Sequence, residues 1–575
     1  MPTLHQFDYI FAIGLIFAFL DAWNIGANDV ANSFATSVSS RSLTMKQAMM
    51  IASVMEFAGA LGVGARVADT IRSKILSTAA FEAEPSILML GMTCALVSSS
   101  VYMTMATRLG MPVSTTHSII GGVMGVGIAA LGVDGVNWGW NGVSQVFAAW
   151  AIAPGLAGCF GAIIFLATKY GVMKRKNPVR AAFIMIPVYF TLTSGILTML
   201  IVWKGAASAS ANVKTWGAGE YVGVILGTAL GVGLLSVIFL LPWLHRKLIM
   251  DDWEMRWYHI FQGPLLLRRG PVPPNTSGTE IVQNYYEGHK TREELDQEGS
   301  SIPHPATDIE TNNSDEIKNK EAAEGITSER TSGETPKTTG LSNVNPAPMV
   351  GKWYEPKNLF ETAKRAFFHG VEVDVIAEQQ KASILAGNIE EMHARAMHYD
   401  NKAEHAYSFL QVLTAATASF AHGANDVSNA IGPLAAIYLI WSTGKLSSKS
   451  PVPIWVLVYG GAALVIGLWT YGYNIMRNLG NRLTLHSPSR GFSMELGSAI
   501  TVVMATRLAL PISTTQCIVG STVGVGLCNG DVKSINWRMV VWIYLGWIIT
   551  LPVTGIIAGC LMGIIINAPR WGMAL

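Results

Sequence analysis

Apolar residues dominate two long blocks of the chain, about 7–244 and 406–568, and a polar tract separates them. Inside the blocks, uncharged windows such as 181–203, 221–244 and 539–569 exceed the ~20 residues that a helix needs to cross a bilayer core. One such window is compatible with a buried helix of a soluble domain. So many in one chain predict an all-α polytopic membrane protein. Between 271 and 345 the chain is mostly Thr, Ser, Glu, Asn, Lys and Pro, which leaves too little apolar surface to fold alone and predicts disorder. Apolar and charged residues at helical spacing in 353–398 predict one or two helices lying on the membrane face or on the body of the protein. The expected organisation is a membrane block at 1–244, a loop at 245–405 and a second membrane block at 406–575.

Composition supports this division. Charged residues make up 14% of the 575 positions, against about 25% in soluble domains. The net charge of +2 gives no basis for a nucleic-acid partner. The five cysteines lie in apolar stretches without paired spacing and are read as packing residues. The opening "MPTLHQFDYIF" lacks a basic leader, so the first span is expected to be retained. Basic residues orient the chain. Lys169, Lys174, Arg175, Lys176 and Arg180 fill one connection, and two spans later His245, Arg246 and Lys247 open the long loop. Both segments are therefore expected to be cytosolic, which leaves the sequons at Asn275 and Asn312 unused.

The two blocks are copies of one another at their polar positions. "GANDVAN" starts at Gly26 and "GANDVSN" at Gly423, 397 positions later. "MATRLGMPVSTTHSIIGGVMGVG" starts at Met105 and "MATRLALPISTTQCIVGSTVGVG" at Met504, 399 positions later. Three ordered matches, with "VNW" at Val136 and "INW" at Ile535 as the third, mean duplication. Secondary transporters are commonly duplicated, with the ligand site at the repeat interface.

The first motif places an Asp inside an apolar stretch, where an isolated charge is expensive. Gly26 and Gly423 permit backbone bends, and Asn32 and Asn429 follow Asp29 and Asp426 by three positions, on the same helical face. Carboxylate, amide and carbonyl oxygens suit a hard cation such as sodium, or a proton-linked site. The alternative is that the two Asp cap half-helices. In the second motif, Ser114, Thr115, Thr116 and Ser513, Thr514, Thr515 follow a proline suited to the first turn of a helix. Hydroxyls beside free N–H groups at the positive end of a helix suit an oxyanion without Lys or Arg, and hydroxyl bonding between helices is the alternative. Gly121, Gly125, Gly520 and Gly524 have the spacing of close-packing faces. Glu56 and Glu495 stand almost alone among apolar residues and are functional candidates, although they do not align with each other in the repeat. Arg108 and Arg507 do align, and snorkelling to the membrane interface is the expected role of both. No GxxxxGK[ST] motif supports drive by ATP, and no nucleophile–base pair or metal cluster supports an enzyme.

Paired "GANDVAN" and "GANDVSN" signatures, each followed by P-[VI]-S-T-T, closely resemble the inorganic phosphate transporter family, and the long central loop resembles its fungal sodium–phosphate symporters. The resemblance implies about twelve membrane segments in two inverted repeats, with broken or re-entrant helices around a midplane site. It further implies a homodimer in the plasma membrane that imports inorganic phosphate with sodium by alternating access. Sodium serves as the coupling ion and no other cofactor is implied. Asn28, Asp29, Asn32, Asn425, Asp426 and Asn429 resemble the residues around the cation sites, the six Ser and Thr resemble the phosphate cradle, and Glu56 and Glu495 match acidic positions needed for transport. Gln516 replaces His117 in the second copy, so any pH response at that position belongs to one half only. Proton coupling through Glu56 and Glu495 is the alternative drive, and a membrane receptor or scaffold built on the loop is the alternative class.

Overall fold

The computed structural model describes residues 3–568 except 77, 141, 203–215, 276–277, 279, 301–357, 359–361, 363, 366–367, 369–370, 372–374, 381–384, 447–451, 509 and 511. The described secondary-structure elements are helices, and the described residues contain no strand beyond an isolated bridge between Leu76 and Val136. In the first repeat, α1 (Asp8–Ser39), α2 (Met45–Lys74), α3 (Pro85–Arg108), α4 (Thr115–Leu131) and α5 (Val143–Thr168) follow one another. Two connecting helices come next, α6 (Pro178–Leu200) and α7 (Ala218–Leu235). The second repeat comprises α8 (Asn401–Thr443), α9 (Ile454–Tyr471), α10 (Tyr473–Leu479), α11 (Pro488–Arg507), α12 (Thr514–Leu527) and α13 (Trp537–Asn567). Eight of the described helices are long and apolar enough to cross a membrane. The half-helices α4 and α12 are shorter, at 17 and 14 residues. The long α8 buries many polar side chains in place of apolar ones.

The repeats are interlocked. α1 packs on α9 as α8 packs on α2, and α4 packs on α13 as α12 packs on α5. Each contact thus has a counterpart in which the repeats exchange roles. Glycine makes the approach possible. A Cβ on Gly26 would stand 2.0 Å from the Leu464 carbonyl oxygen, and one on Gly423 would stand 2.2 Å from that of Glu56. α1 and α8 run unbroken through "GAND", so these glycines serve close packing and not the expected bend. Gly125 against Gly555, and Gly524 against Gly158, join the half-helices to their partners in the same way.

The breaks fall at the other motif. α3 ends at Arg108, Gly110 takes φ +70, and α4 begins at Thr115. The second repeat interrupts its chain between Arg507 and Thr514. Arg108 is exposed at the end of its helix, and the side chain of Arg507 lies outside the described residues. Of the cysteines, Cys94 and Cys517 are buried, whereas Cys159 and Cys560 are exposed, so the packing role holds only for part of the set.

Much of the stretch expected to be disordered, 271–345, lies outside the described residues. Its described part carries two aromatic anchors that a compositional average hides. Tyr285 and Tyr286 are buried against Ala396 and Leu485. Tyr286 also donates to Glu404 at 2.8 Å and stacks on His398. From 353–398, the described helices Val375–Gln380 and Ile389–Ala394 are short, and Gln379 is buried between Ser39 and the carbonyl of Met476.

Gly26→Ala is expected to lower the thermal unfolding temperature of the detergent-purified protein, because overpacking against backbone costs about 1–3 kcal/mol. Gly155→Ala, where nothing lies within 4 Å of the added Cβ, is the control and should show no loss.

Candidate functional site

Polar side chains on α1 recur every fourth residue, at Asn24, Asn28, Asn32 and Thr36, and so form one stripe along the helix. Together they reach three elements, α3, α12 and α11. Asn24 donates to Thr104 at 2.9 Å. Asn28 donates to Thr107 at 3.0 Å and to the Met111 carbonyl at 3.1 Å, while its own oxygen accepts from the backbone N–H of Val113 at 3.1 Å. Asn28 therefore staples the break between α3 and α4. Its repeat partner Asn425 is half-buried and donates to Asp426 at 3.2 Å.

The signature residues of each repeat meet the hydroxyl cluster of the other. Asn32 donates to Thr515 at 2.9 Å and to Thr514 at 3.3 Å. Asn429 mirrors it, donating to Thr115 at 3.1 Å and to Thr116 at 3.2 Å. Asp29 accepts from Asn32 at 3.0 Å and from Thr515 at 3.1 Å on Oδ1. Asp426 accepts from Asn429 at 3.3 Å and Thr116 at 3.3 Å on Oδ1, and from Thr514 at 2.8 Å on Oδ2. All these groups except Asn425 are buried. The structure thus gathers Asp29, Asn32, Asp426, Asn429, Thr115, Thr116, Thr514 and Thr515 into one centre between the repeats.

Both Asp lie inside continuous helices, so neither caps a half-helix. Ser114 and Ser513 take that role. Their hydroxyls accept from the backbone N–H of His117 at 3.2 Å and of Gln516 at 3.4 Å, at the starts of α4 and α12. The threonines that follow stand beside the N-terminal N–H groups of these helices, where a partial positive charge collects. His117 is buried near Trp150 and makes no hydrogen bond with either ring nitrogen.

The two isolated glutamates have different fates. Glu495, on α11, accepts from Thr36 at 2.5 Å, Ser37 at 2.7 Å, Gln411 at 3.2 Å and Thr414 at 2.5 Å. It bridges the end of α1 to the start of α8, apart from the two Asp. Glu56 joins the centre through a residue that sequence reasoning passed over. His422 Nδ1 is 2.6 Å from Glu56 Oε2, and its Nε2 is 3.2 Å from Asp426 Oδ2 and 3.6 Å from Asp29 Oδ2. The signal was available, since His422 directly precedes "GANDVSN" where the first copy has Ile25. Buried oxygens without a hydrogen-bond donor remain on Asp29, at Oδ2, and on Asn32, at Oδ1. Such oxygens can ligate a hard cation. Asp29, His422 and Asp426 offer ligand atoms within 4.8 Å of one another, and a small cavity beside them is lined by Asn32, Ser33, His422, Ser498 and Thr514 among others.

The "Phosphate transporter family" model matches residues 25–558. The chain belongs to that family. It is 56% identical over 591 residues to the "Phosphate-repressible phosphate permease pho-4" of Neurospora crassa, covering 99% of each protein. It is 30% identical to "Sodium-dependent phosphate transporter 2" of Felis catus, covering 96% of this chain and 97% of that one. A solved structure described as "The sodium-dependent phosphate transporter" shares the fold, with a TM-score of 0.63 at 24% identity over 98% of this chain and 100% of the other. The family is one of transport proteins, not enzymes.

Because His422 connects Glu56 to Asp29 and Asp426, substitutions at the two residues are expected to couple. Glu56→Gln and His422→Gln should each change the sodium half-saturation of phosphate uptake, and the double variant should be no worse than the more severe single variant. Strictly additive effects would show that the two groups act separately.

Proposed function

We propose that this phosphate transporter imports inorganic phosphate together with sodium, exposing one central site alternately to the two sides of the membrane. The observation that carries this reading is the meeting of two buried carboxylates, Asp29 and Asp426, with hydroxyls at two half-helix N-termini. An oxyanion with one or two negative charges is repelled by two carboxylates a few ångströms away in a medium of low dielectric. Cations must therefore load with it, and coupling follows from the charge of the site.

In this reading Asp29, Asn32, Asp426 and Asn429 supply oxygens to sodium, and the open Oδ2 of Asp29 and Oδ1 of Asn32 support it. Asn28 and Asn425 act at the margin. Asn28 secures the break before α4, and Asn425 orients Asp426. Thr115, Thr116, Thr514 and Thr515 face phosphate, while Ser114 and Ser513 hold the helix ends that present the threonines. Glu56 acts through His422, and Glu495 ties together the ends of α1 and α8, which have to move relative to each other if access alternates. The relatives' names support sodium as the coupling ion. In this reading the protein works in the plasma membrane as a homodimer with its central loop in the cytosol.

Labelled phosphate uptake into proteoliposomes, with sodium and proton gradients imposed separately, tests the reading. Uptake is expected to follow sodium, and uptake that ignores sodium but follows protons would refute it. Asp29→Asn and Asp426→Asn should each abolish sodium dependence in protein that still folds, and normal transport by both would remove the carboxylates from the cation sites. Replacing Thr115 and Thr514 with Val is expected to raise the KM for phosphate at least ~10-fold, because each lost hydroxyl contact is worth about 1 kcal/mol or more. Topology has its own check: glycosylation at Asn275 or Asn312 in cells would reverse the orientation.

A further inference from the structure

Asp21 lies on α1 two turns before Asp29, about 12 Å along the helix. The residue is 1% exposed. The repeat offset of 397 places Ala418 at its counterpart, so Asp21 is no part of the duplicated site. Its Oδ1 has no hydrogen-bond partner, and the Ser99 hydroxyl on α3 lies close to the carboxyl group. Ser99 donates to Ser118 at 3.0 Å, and Ser118 stands two residues beyond Thr116 on α4. A serine hydroxyl carries a single proton. That proton goes to Ser118, so a charged Asp21 accepts from Ser99 only when the hydroxyl turns away from Ser118.

The contrast with Glu495 is informative. Four donors converge on that carboxylate, the dress of a buried anion. Asp21 keeps an unpartnered oxygen and has no ion-pair partner among the described residues, the dress of a carboxylic acid. Titratable side chains on the elements packed around α1 include Cys94, Tyr102 and Arg108 on α3, His422, Asp426 and Tyr438 on α8, Tyr459 and Tyr471 on α9, and Asp8 and Asp29 on its own helix. None of them pairs with it. Asn24, one turn on, spends its amide group on Leu20, Ser100 and Thr104.

We propose that Asp21 is a proton-binding site of the first repeat, separate from the sodium and phosphate centre and linked to it through Ser99, Ser118 and the first turn of α4. A buried carboxylate without a counter-ion is neutral at rest, and losing its proton places an unpaired charge between α1 and α3. Those helices frame the break that carries Thr115 and Thr116, so the protonation state of Asp21 acts on the hydroxyl cluster of one repeat alone.

The test is sodium-driven phosphate uptake by the full-length protein in proteoliposomes, from about pH 6 to about pH 9, beyond the ordinary range of free carboxylates. Asp21→Asn keeps the shape and remains neutral at every pH. Phosphate titrates identically in both assays, so the readout is the ratio of variant to wild-type uptake. That ratio is expected to change about fivefold or more across the interval, with the variant behaving throughout as the wild type does at its acidic end. Ser99→Ala leaves the carboxyl in place but removes its neighbour, and should move the wild-type transition to higher pH. This second variant keeps the proposal testable if Asp21→Asn does not fold. A constant ratio overturns the proposal. A shift in sodium half-saturation with the pH profile unchanged overturns it as well, since Asp21 would then hold a metal cation. Loss of sodium dependence in the wild type would instead refute the coupling described above, and the two failures are distinguishable.

Discussion

Two carboxylates buried within reach of one histidine set the terms for the rest of this molecule. In a low-dielectric interior, Asp29 and Asp426 repel each other and any anion brought near them. The protein answers with neutral donors. Asn32, Asn429, Thr116, Thr514 and Thr515 each hydrogen-bond to one of the two carboxylates, and His422 stands between them with Glu56 behind it. Among the described residues no Lys or Arg reaches the centre. A Lys or Arg there would neutralise the carboxylates permanently and, under the proposed mechanism, remove the need for a mobile cation.

That solution requires the repeats to interpenetrate. The amide of each signature reaches the threonines of the opposite repeat, so neither block can complete the site alone. Such an arrangement demands helix axes close enough for backbone to touch backbone, and glycine supplies the clearance at Gly26, Gly423, Gly125 and Gly524. The two short half-helices end where the repeats meet and turn their positive ends to the same point. Electrostatics and packing are therefore one design: the glycines bring together the groups whose charges must then be balanced.

The duplication is not exact, and several of its differences fall at buried ionisable positions. His422 has Ile25 as its counterpart, Glu495 has Leu96, His117 has Gln516, and Asp21 has Ala418. A symmetric pair of sites would treat two cations alike. These single-copy groups distinguish the halves and give each repeat its own ionisable residues.

The apolar blocks, the duplication, the residue types at the centre and the family were legible from the chain, because membrane helices announce themselves by length and hydropathy and a repeated motif needs no coordinates to be seen. The two signature Asp and the threonine clusters were legible for the same reason, being dense polar islands repeated in apolar surroundings. Their roles relative to one another were decided by tertiary structure. Whether Gly26 bends a helix or admits a neighbour depends on Leu464, more than four hundred positions away. That Ser114 and Ser513 cap helices while Asp29 and Asp426 do not depends on where the backbone breaks. Tyr285 and Tyr286 are buried in a stretch whose composition reads as disordered, because a few aromatic contacts with another element outweigh a local average. Hydropathy and motif spacing are properties of neighbours in the chain. The partner of a buried charge is a property of neighbours in space, and at this site those neighbours come from opposite ends of the sequence.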